Sequence, residues 1–393
     1  MAPQFYEAKR PRWYDLCKWR LIPWAGSITA VIAIAVVIAV PVIVARHKSN
    51  ANADADADRY PNYTKLNYSI NETYSTASFF DNFNYRTGDD PSNGHVHYVD
   101  LEYAVAYNLT PTLVDSVMVK VDTSIGPSSS PDASTGRFSV RLESKTQYNQ
   151  GLFVFDIKHT PYGCATWPAL WLADPYTWPA HGEIDVMETM NHAAPSKPNP
   201  GNLMTLHTDA SCSMDVKRNM TGSTSEMFGS GTPATDCDVS PGTNNNAGCG
   251  VTGGPTTYGG EFNAAGGGIM AVEWRSEGIR IWQFGRAAIP ADIGAGKPDP
   301  SIWPPPLADF PNTNCDIGGH FKNASIVANI DLCGDAIPES VWAASGCPTS
   351  CVGSHKCVGG WTKNNCTDFV SNNPQAFTNA YWEFGEFKVY QSS

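Results

Sequence analysis

The chain is poor in positive charge: 26 Lys and Arg stand against 38 Asp and Glu, a formal net charge of −12 over 393 residues. Beyond residue 45 the imbalance widens to 21 basic against 36 acidic side chains. Such a surface repels nucleic acid and other polyanions, and a neutral polymer is the more suitable partner. There is no internal repeat, which removes the stacked-repeat architectures. No His pair at finger spacing accompanies Cys347-X3-Cys351 or Cys351-X5-Cys357, and no compact EF-hand-like loop is present, so neither a metal nor a cofactor is expected.

What the chain does have is turn formers and aromatics: 34 Gly, 29 Pro, 12 Trp, 16 Tyr and 16 Phe. That mixture favours short strands joined by many turns, an all-β fold. One apolar run, residues 21–45, carries no charge and as a helix would span roughly 37 Å at about 1.5 Å per residue. Lys9, Arg10, Arg12, Lys18 and Arg20 precede it, and only Arg46 and Lys48 follow closely. The positive-inside bias then predicts a single-pass type II membrane protein, with a cytoplasmic tail (1–20), an uncleaved signal anchor (21–45), a flexible stalk (46–75) and one large extracellular or lumenal domain (76–393). Sequons at Asn62, Asn67, Asn71, Asn108, Asn219, Asn323 and Asn365 fit that side of the membrane as N-glycan acceptors. Cys17 falls on the cytoplasmic side, and the ten remaining cysteines fit up to five disulfides.

Within the large domain, alternation and β-rich runs predict strands at 114–123, 137–146, 151–158, 181–190, 202–208, 268–275, 279–285, 323–332 and 379–390. A hairpin turn is predicted at Ser276-Glu277-Gly278, and the Gly/Asn/Thr-rich stretch 228–267 reads as a disulfide-tethered loop.

The segment HGEIDVMETMN (181–191) holds Glu183, Asp185 and Glu188. On a regular strand Glu183 and Asp185 share a face and Glu188 points away. A one-residue bulge near Val186–Met187 returns Glu188 to the face of the other two. Glu183 and Glu188 would then lie roughly 13 Å apart at Cα, at about 3.3 Å per step, near enough for the side chains to converge. Two carboxylic acids flanking a glycosidic bond are the minimal equipment for its hydrolysis, with inversion or retention set by their separation. Taken alone, three acids would equally suit a solvent-facing stripe or a calcium site. Trp167, Trp171 and Trp178, close upstream, tip the balance, because aromatic faces can stack on the C–H face of a sugar ring. His207, on the next predicted strand, could reach the acids as a supporting donor.

The acid strand resembles glycoside hydrolase family 16, whose signature is Glu-X-Asp-X-X-Glu in its laminarinase-like members, the fungal endo-1,3(4)-β-glucanases among them. The resemblance runs through FFDNFNY, GHVHYVD, RFSVRLESK, GCATWPALW, LMTLHT, FPNTNCDIG and NPQAFTNAYWEF. It implies a concanavalin-like β-jelly-roll sandwich with a concave groove and retaining cleavage of β-1,3 or mixed β-1,3/1,4 glucan. It would make Glu183 the nucleophile, Asp185 its helper and Glu188 the acid/base, with Trp167 and Trp178 lining the groove and His207 near the acids. A transglycosylase using the same site, or a non-catalytic glucan-binding protein on the same sandwich, are the competing expectations. The N-terminal anchor and the long segment 351–366 depart from the family pattern, and Cys357 and Cys366 in that segment are expected to pair with each other.

Overall fold

The computed structural model describes residues 60–126, 135–191, 201–227, 230–243, 246–348 and 365–392. The expected tail, the membrane span and residues 46–59 of the stalk lie outside these residues, as do Cys351 and Cys357. Among the described residues no helix is long and apolar enough to cross a membrane.

The chain begins with β1 (Tyr68–Tyr74), β2 (Phe83–Tyr85), β3 (Gly88–Asp89), β4 (Val96–Tyr98), β5 (Val117–Lys120) and β6 (Arg137–Ser139). It continues with β7 (Arg141–Tyr148), β8 (Gly151–His159), β9 (Thr166–Ala173), β10 (Glu183–Glu188), β11 (Leu203–His207), β12 (Ser223–Thr224) and β13 (Cys249–Thr252). The last strands are β14 (Gly268–Arg275), β15 (Gly278–Gly285), β16 (Ala308–Pro311), β17 (Ala324–Leu332) and β18 (Tyr381–Ser392).

Fifteen of them build a sandwich of two antiparallel sheets, while β3, β4 and β6 form a small third sheet in which β4 and β6 run parallel. The first has the order β1-β18-β8-β14-β15-β16, with β5 also on β18, and the second β12-β13-β11-β10-β9-β17-β7-β2. The period of two explains the layering. In β8, Phe153, Phe155 and Ile157 belong to the main core between the sheets, while Leu152 and Val154 join Trp282 and Trp303 in a second apolar cluster on the opposite face. The first sheet therefore buries both faces. The second sheet puts Leu170, Leu172, Ile184, Leu206 and Ile326 into the same main core, which leaves its other face for a groove. Truncating a buried Phe such as Phe155 to Ala would cost about 3–5 kcal/mol.

Several expectations need correction. Residues 68–74, assigned to the stalk, form β1 and pair with β18 from Tyr68↔Ser392 to Tyr74↔Phe387. The backbone ladder holds that strand, since only Tyr74 on it is buried. The hairpin turn is tighter than predicted, with Arg275 pairing Gly278 across two residues. The stretch 228–267 contains β13 and a helix, α1 (Gly259–Ala264), as well as the expected tether Cys237–Cys249. Cys366 pairs with Cys333 rather than with Cys357, because the chain end of β17 brings Cys333 within 5.8 Å (Cα–Cα) of it. Cys164–Cys347 and Cys212–Cys315 complete the bridges among the described residues.

Candidate active site

The groove floor is β10 with its neighbours β9 and β11. Against β9 the register runs Asp185↔Trp171 and then Met187↔Leu170, so Val186 is the extra, unpaired residue of a bulge. Against β11 the same irregularity falls between Ile184↔Leu206 and Glu188↔Leu203. Glu183, Asp185 and Glu188 therefore point to one face, while Ile184, Val186 and Met187 are buried in the core. Gly182 opens the strand at φ +69°, where a Cβ would come within 2.4 Å of the Phe321 ring, so a side chain there would push β10 off its seat.

Each glutamate is held by a tryptophan. Trp167 Nε1 donates to Glu188 Oε1 at 2.7 Å, and Trp178 Nε1 donates to Glu183 Oε2. Trp178 is half-exposed at the rim. Trp171, opposite Asp185, donates instead to Asn329 Oδ1 (2.8 Å), with the Arg141 guanidinium over its ring at 4.9 Å. His207 pairs with Glu183 across β11, and its Nε2 lies 3.1 Å from Asp185 Oδ2. The ring is not aligned for a hydrogen bond to that oxygen, so the contact is one of charge and proximity.

A cavity of about 340 Å³ opens over these groups, lined by Trp167, Glu183, Glu188, Leu203, Thr205 and His207, and also by Ser225, Glu226 and Asp335. The glutamates open onto this groove while protein surrounds their carboxyls. Glu183 is pushed up to about 8, first by burial and then by the charge of Asp185, against the pull of His207 and the Trp178 N–H. Burial and the charge of Glu188 raise Asp185 well above the usual carboxylate range. Glu188 is raised by burial and by Glu183, with the Trp167 hydrogen bond and His207 pulling it back. All three carboxyls are thus raised and linked to one another, which lets one be ionised while another is an acid. Glu183, Asp185 and His207 also offer ligand atoms within 4.8 Å of one another and form the one set among the described residues with the spacing of a metal site.

A family model described as "XgeA-like, catalytic GH16 domain" matches residues 83–390. The chain belongs to glycoside hydrolase family 16. Among its curated relatives, the "Probable glycosidase" of Schizosaccharomyces pombe is 40% identical over 337 residues, covering 85% of this chain and 71% of that protein. The endo-1,3(4)-beta-glucanase of Arthroderma benhamiae is 37% identical over 82% of this chain and 65% of its own length. Against an Aspergillus clavatus relative of the same activity name the chain spans about half, 46%. Among solved family members, Laminarinase 16A from Phanerochaete chrysosporium, with β-glucans in donor and acceptor sites, aligns at TM-score 0.70 and 38% identity, covering 82% of this chain and 99% of that one. An elongating family 16 β-1,3-glucosyltransferase aligns equally well, at TM-score 0.70 and 36% identity, with 82% and 100% covered.

The structure brings Trp167, Glu183, Asp185, Glu188 and His207 together, with Trp178 at the rim on Glu183, whereas Trp171 turns its indole to Asn329 under Arg141 and is not among the residues lining the cavity. Sequence reasoning missed Asn202, Asn329, Arg141 and the lining residues Glu226 and Asp335. Asn329 carried a signal, as a polar residue inside the apolar run ASIVANIDL.

Proposed function

We propose that this chain is a retaining, endo-acting glucanase that cleaves β-1,3 or mixed β-1,3/1,4 glucan. The bulge carries the assignment: it puts three acids with unlike partners on the groove face of one strand. Glu183, the carboxylate held by the rim indole, attacks the anomeric carbon as Glu188 gives its proton to the leaving oxygen, so the glycosidic bond breaks and a glycosyl ester forms on Glu183. Esterification removes the Glu183 charge that raises Glu188, and Glu188 becomes the base that deprotonates the incoming water. Asp185 and His207 buffer the charge between them. The relatives named endo-1,3(4)-beta-glucanases and the laminarinase holding bound β-glucans support the substrate class.

A second reading is transfer to another glucan in place of water, favoured by the equal likeness to an elongating glucosyltransferase. The domain would work outside the cytosol, anchored through residues 21–45 and carrying N-glycans. In support, four disulfides join described residues, and the sequon asparagines at 62, 67, 71, 108, 219 and 323 are all exposed. The test is chromatography of products from a soluble β-1,3 glucan and a mixed-linkage glucan. Short oligosaccharides from wild type and none from Glu183→Gln support hydrolysis, products longer than a defined starting oligosaccharide support transfer, and glucan binding without any cleavage contradicts both.

A further inference from the structure

The bulge in β10 disrupts its ladder with β11, and something must hold the displaced backbone. One side chain does so. Asn202, the residue before β11, donates from Nδ2 to the Val186 carbonyl at 2.9 Å and accepts at Oδ1 from the Glu188 N–H at 3.0 Å. A primary amide carries a donor and an acceptor like a peptide group, so Asn202 acts as a surrogate strand residue that binds the inserted Val186 and Glu188 on either side of Met187. Asn202 is fully buried. Its own N–H donates to Thr257 Oγ1 at 2.8 Å, and its carbonyl accepts from the Gly253 N–H at 2.8 Å. Gly201, at φ +84°, lets the chain pass so close to the 253–254 backbone that a Cβ would lie 2.3 Å from the Gly254 carbonyl oxygen. The amide is therefore fixed from behind before it touches the bulge.

We propose that Asn202 is a positioning residue for Glu188, setting the reach of its carboxyl to the leaving-group oxygen. This rests on the assignment of Glu188 as the acid/base. Asn202 does not touch substrate in this arrangement. It acts through the backbone of Glu188, the one bulge group whose amide it binds directly, while Glu183, three residues before Val186, stays in regular pairing with Ala173. Loss of the clip should therefore impair proton donation more than nucleophilic attack.

The experiment compares full-length wild type, Asn202→Ala and Glu188→Ala on two substrates: a β-1,3-gluco-oligosaccharide, whose leaving group needs a proton, and a dinitrophenyl β-laminarioligosaccharide, whose leaving group does not. For Asn202→Ala, kcat on the oligosaccharide should fall about 100-fold with KM nearly unchanged, the scale expected of a misplacement of about 1 Å. The dinitrophenolate burst, which reports attack by Glu183, should stay near the wild-type rate. Glu188→Ala should show the same split, only larger. An equal loss on both substrates, or no loss on either, in Asn202→Ala overturns the role of Asn202 while the Glu188→Ala split leaves the acid/base assignment standing. Absence of the split in Glu188→Ala overturns that assignment and the proposal with it. If Asn202→Ala does not fold, Thr257→Val, which loosens the amide from behind, should give a smaller split, and an equal loss on both substrates there overturns the proposal.

Discussion

Glu273 and Glu188 both sit on central strands of a sheet, and their surroundings differ in kind. Glu273, 1% exposed on the face of the first sheet turned away from the main core, accepts from Arg280 Nε at 2.9 Å and from the Tyr68 hydroxyl at 3.0 Å, with Arg275 at 3.6 Å. Nearby, Asp309 accepts the Asn219 N–H at 2.8 Å, and Tyr63 lies under the Arg280 guanidinium at 4.0 Å. Glu188 has an indole N–H, two neighbouring acids and only the imidazole of His207 to oppose them. An acid surrounded by arginines has its charge matched by fixed partners and serves the fold. An acid that competes with other acids can gain and lose a proton, which serves catalysis at some cost in stability. The cost follows from burial without a full complement of partners.

The largest expected effect separates the two regions by activity. Glu183→Gln should lower glucan turnover at least about 10³-fold, as loss of a nucleophile does, while its melting temperature stays level or rises, because one competing buried acid is gone. Turnover near the wild-type rate would remove Glu183 from the chemistry. The converse holds on the other face. Glu273→Ala should cost about 3–5 kcal/mol in denaturant unfolding by stranding the charge of Arg280, which loses its carboxylate while Arg275 keeps Glu277, with kcat of the folded fraction unchanged.

Titration distinguishes the regions with opposite signs. Glu183 is pushed up to about 8 from an ordinary 4.5, so the folded protein keeps a proton that the unfolded chain releases, and stability falls as pH rises between those values. One such group contributes at most about 1.4 kcal/mol per pH unit. Glu277, gripped by Arg275 at 2.9 and 2.6 Å, is held down at about 2, so its stabilisation is present above 4.5 and lost as pH falls toward 2. Urea midpoints across that range should show Glu183→Gln flattening the neutral slope and leaving the acid slope intact. The smallest effect is at the rim. Trp178→Phe removes the N–H that pulls Glu183 down, so the acid limb of the kcat profile should move to higher pH, with about a tenfold loss at its former optimum.

The two regions also differed in how much of them could be read from the chain. The acid strand was legible because a period of two makes the five-residue step from Glu183 to Glu188 anomalous, and a bulge is the simplest repair. β9 was not legible. Pro168 sits in it, and a proline argues against a central strand. Here it lies beyond the last pair with β10, Glu188↔Ala169, where no ladder donor to β10 is required. β1 shows little amphipathic burial, since pairing with β18 holds it, and the Arg280–Glu273–Tyr68 cluster joins residues far apart in sequence. Asn202 was hidden for a related reason: its partners are backbone atoms, which carry no sequence signature.

The most direct measurement of the central claim is the anomeric configuration of the first product released from a β-1,3 glucan, followed by proton NMR before mutarotation. Glu183 acting as a nucleophile, with Glu188 as acid and then base, requires two inversions at the anomeric carbon and so the β-anomer first. Initial release of the α-anomer would mean direct attack by water and would contradict the covalent role assigned to Glu183.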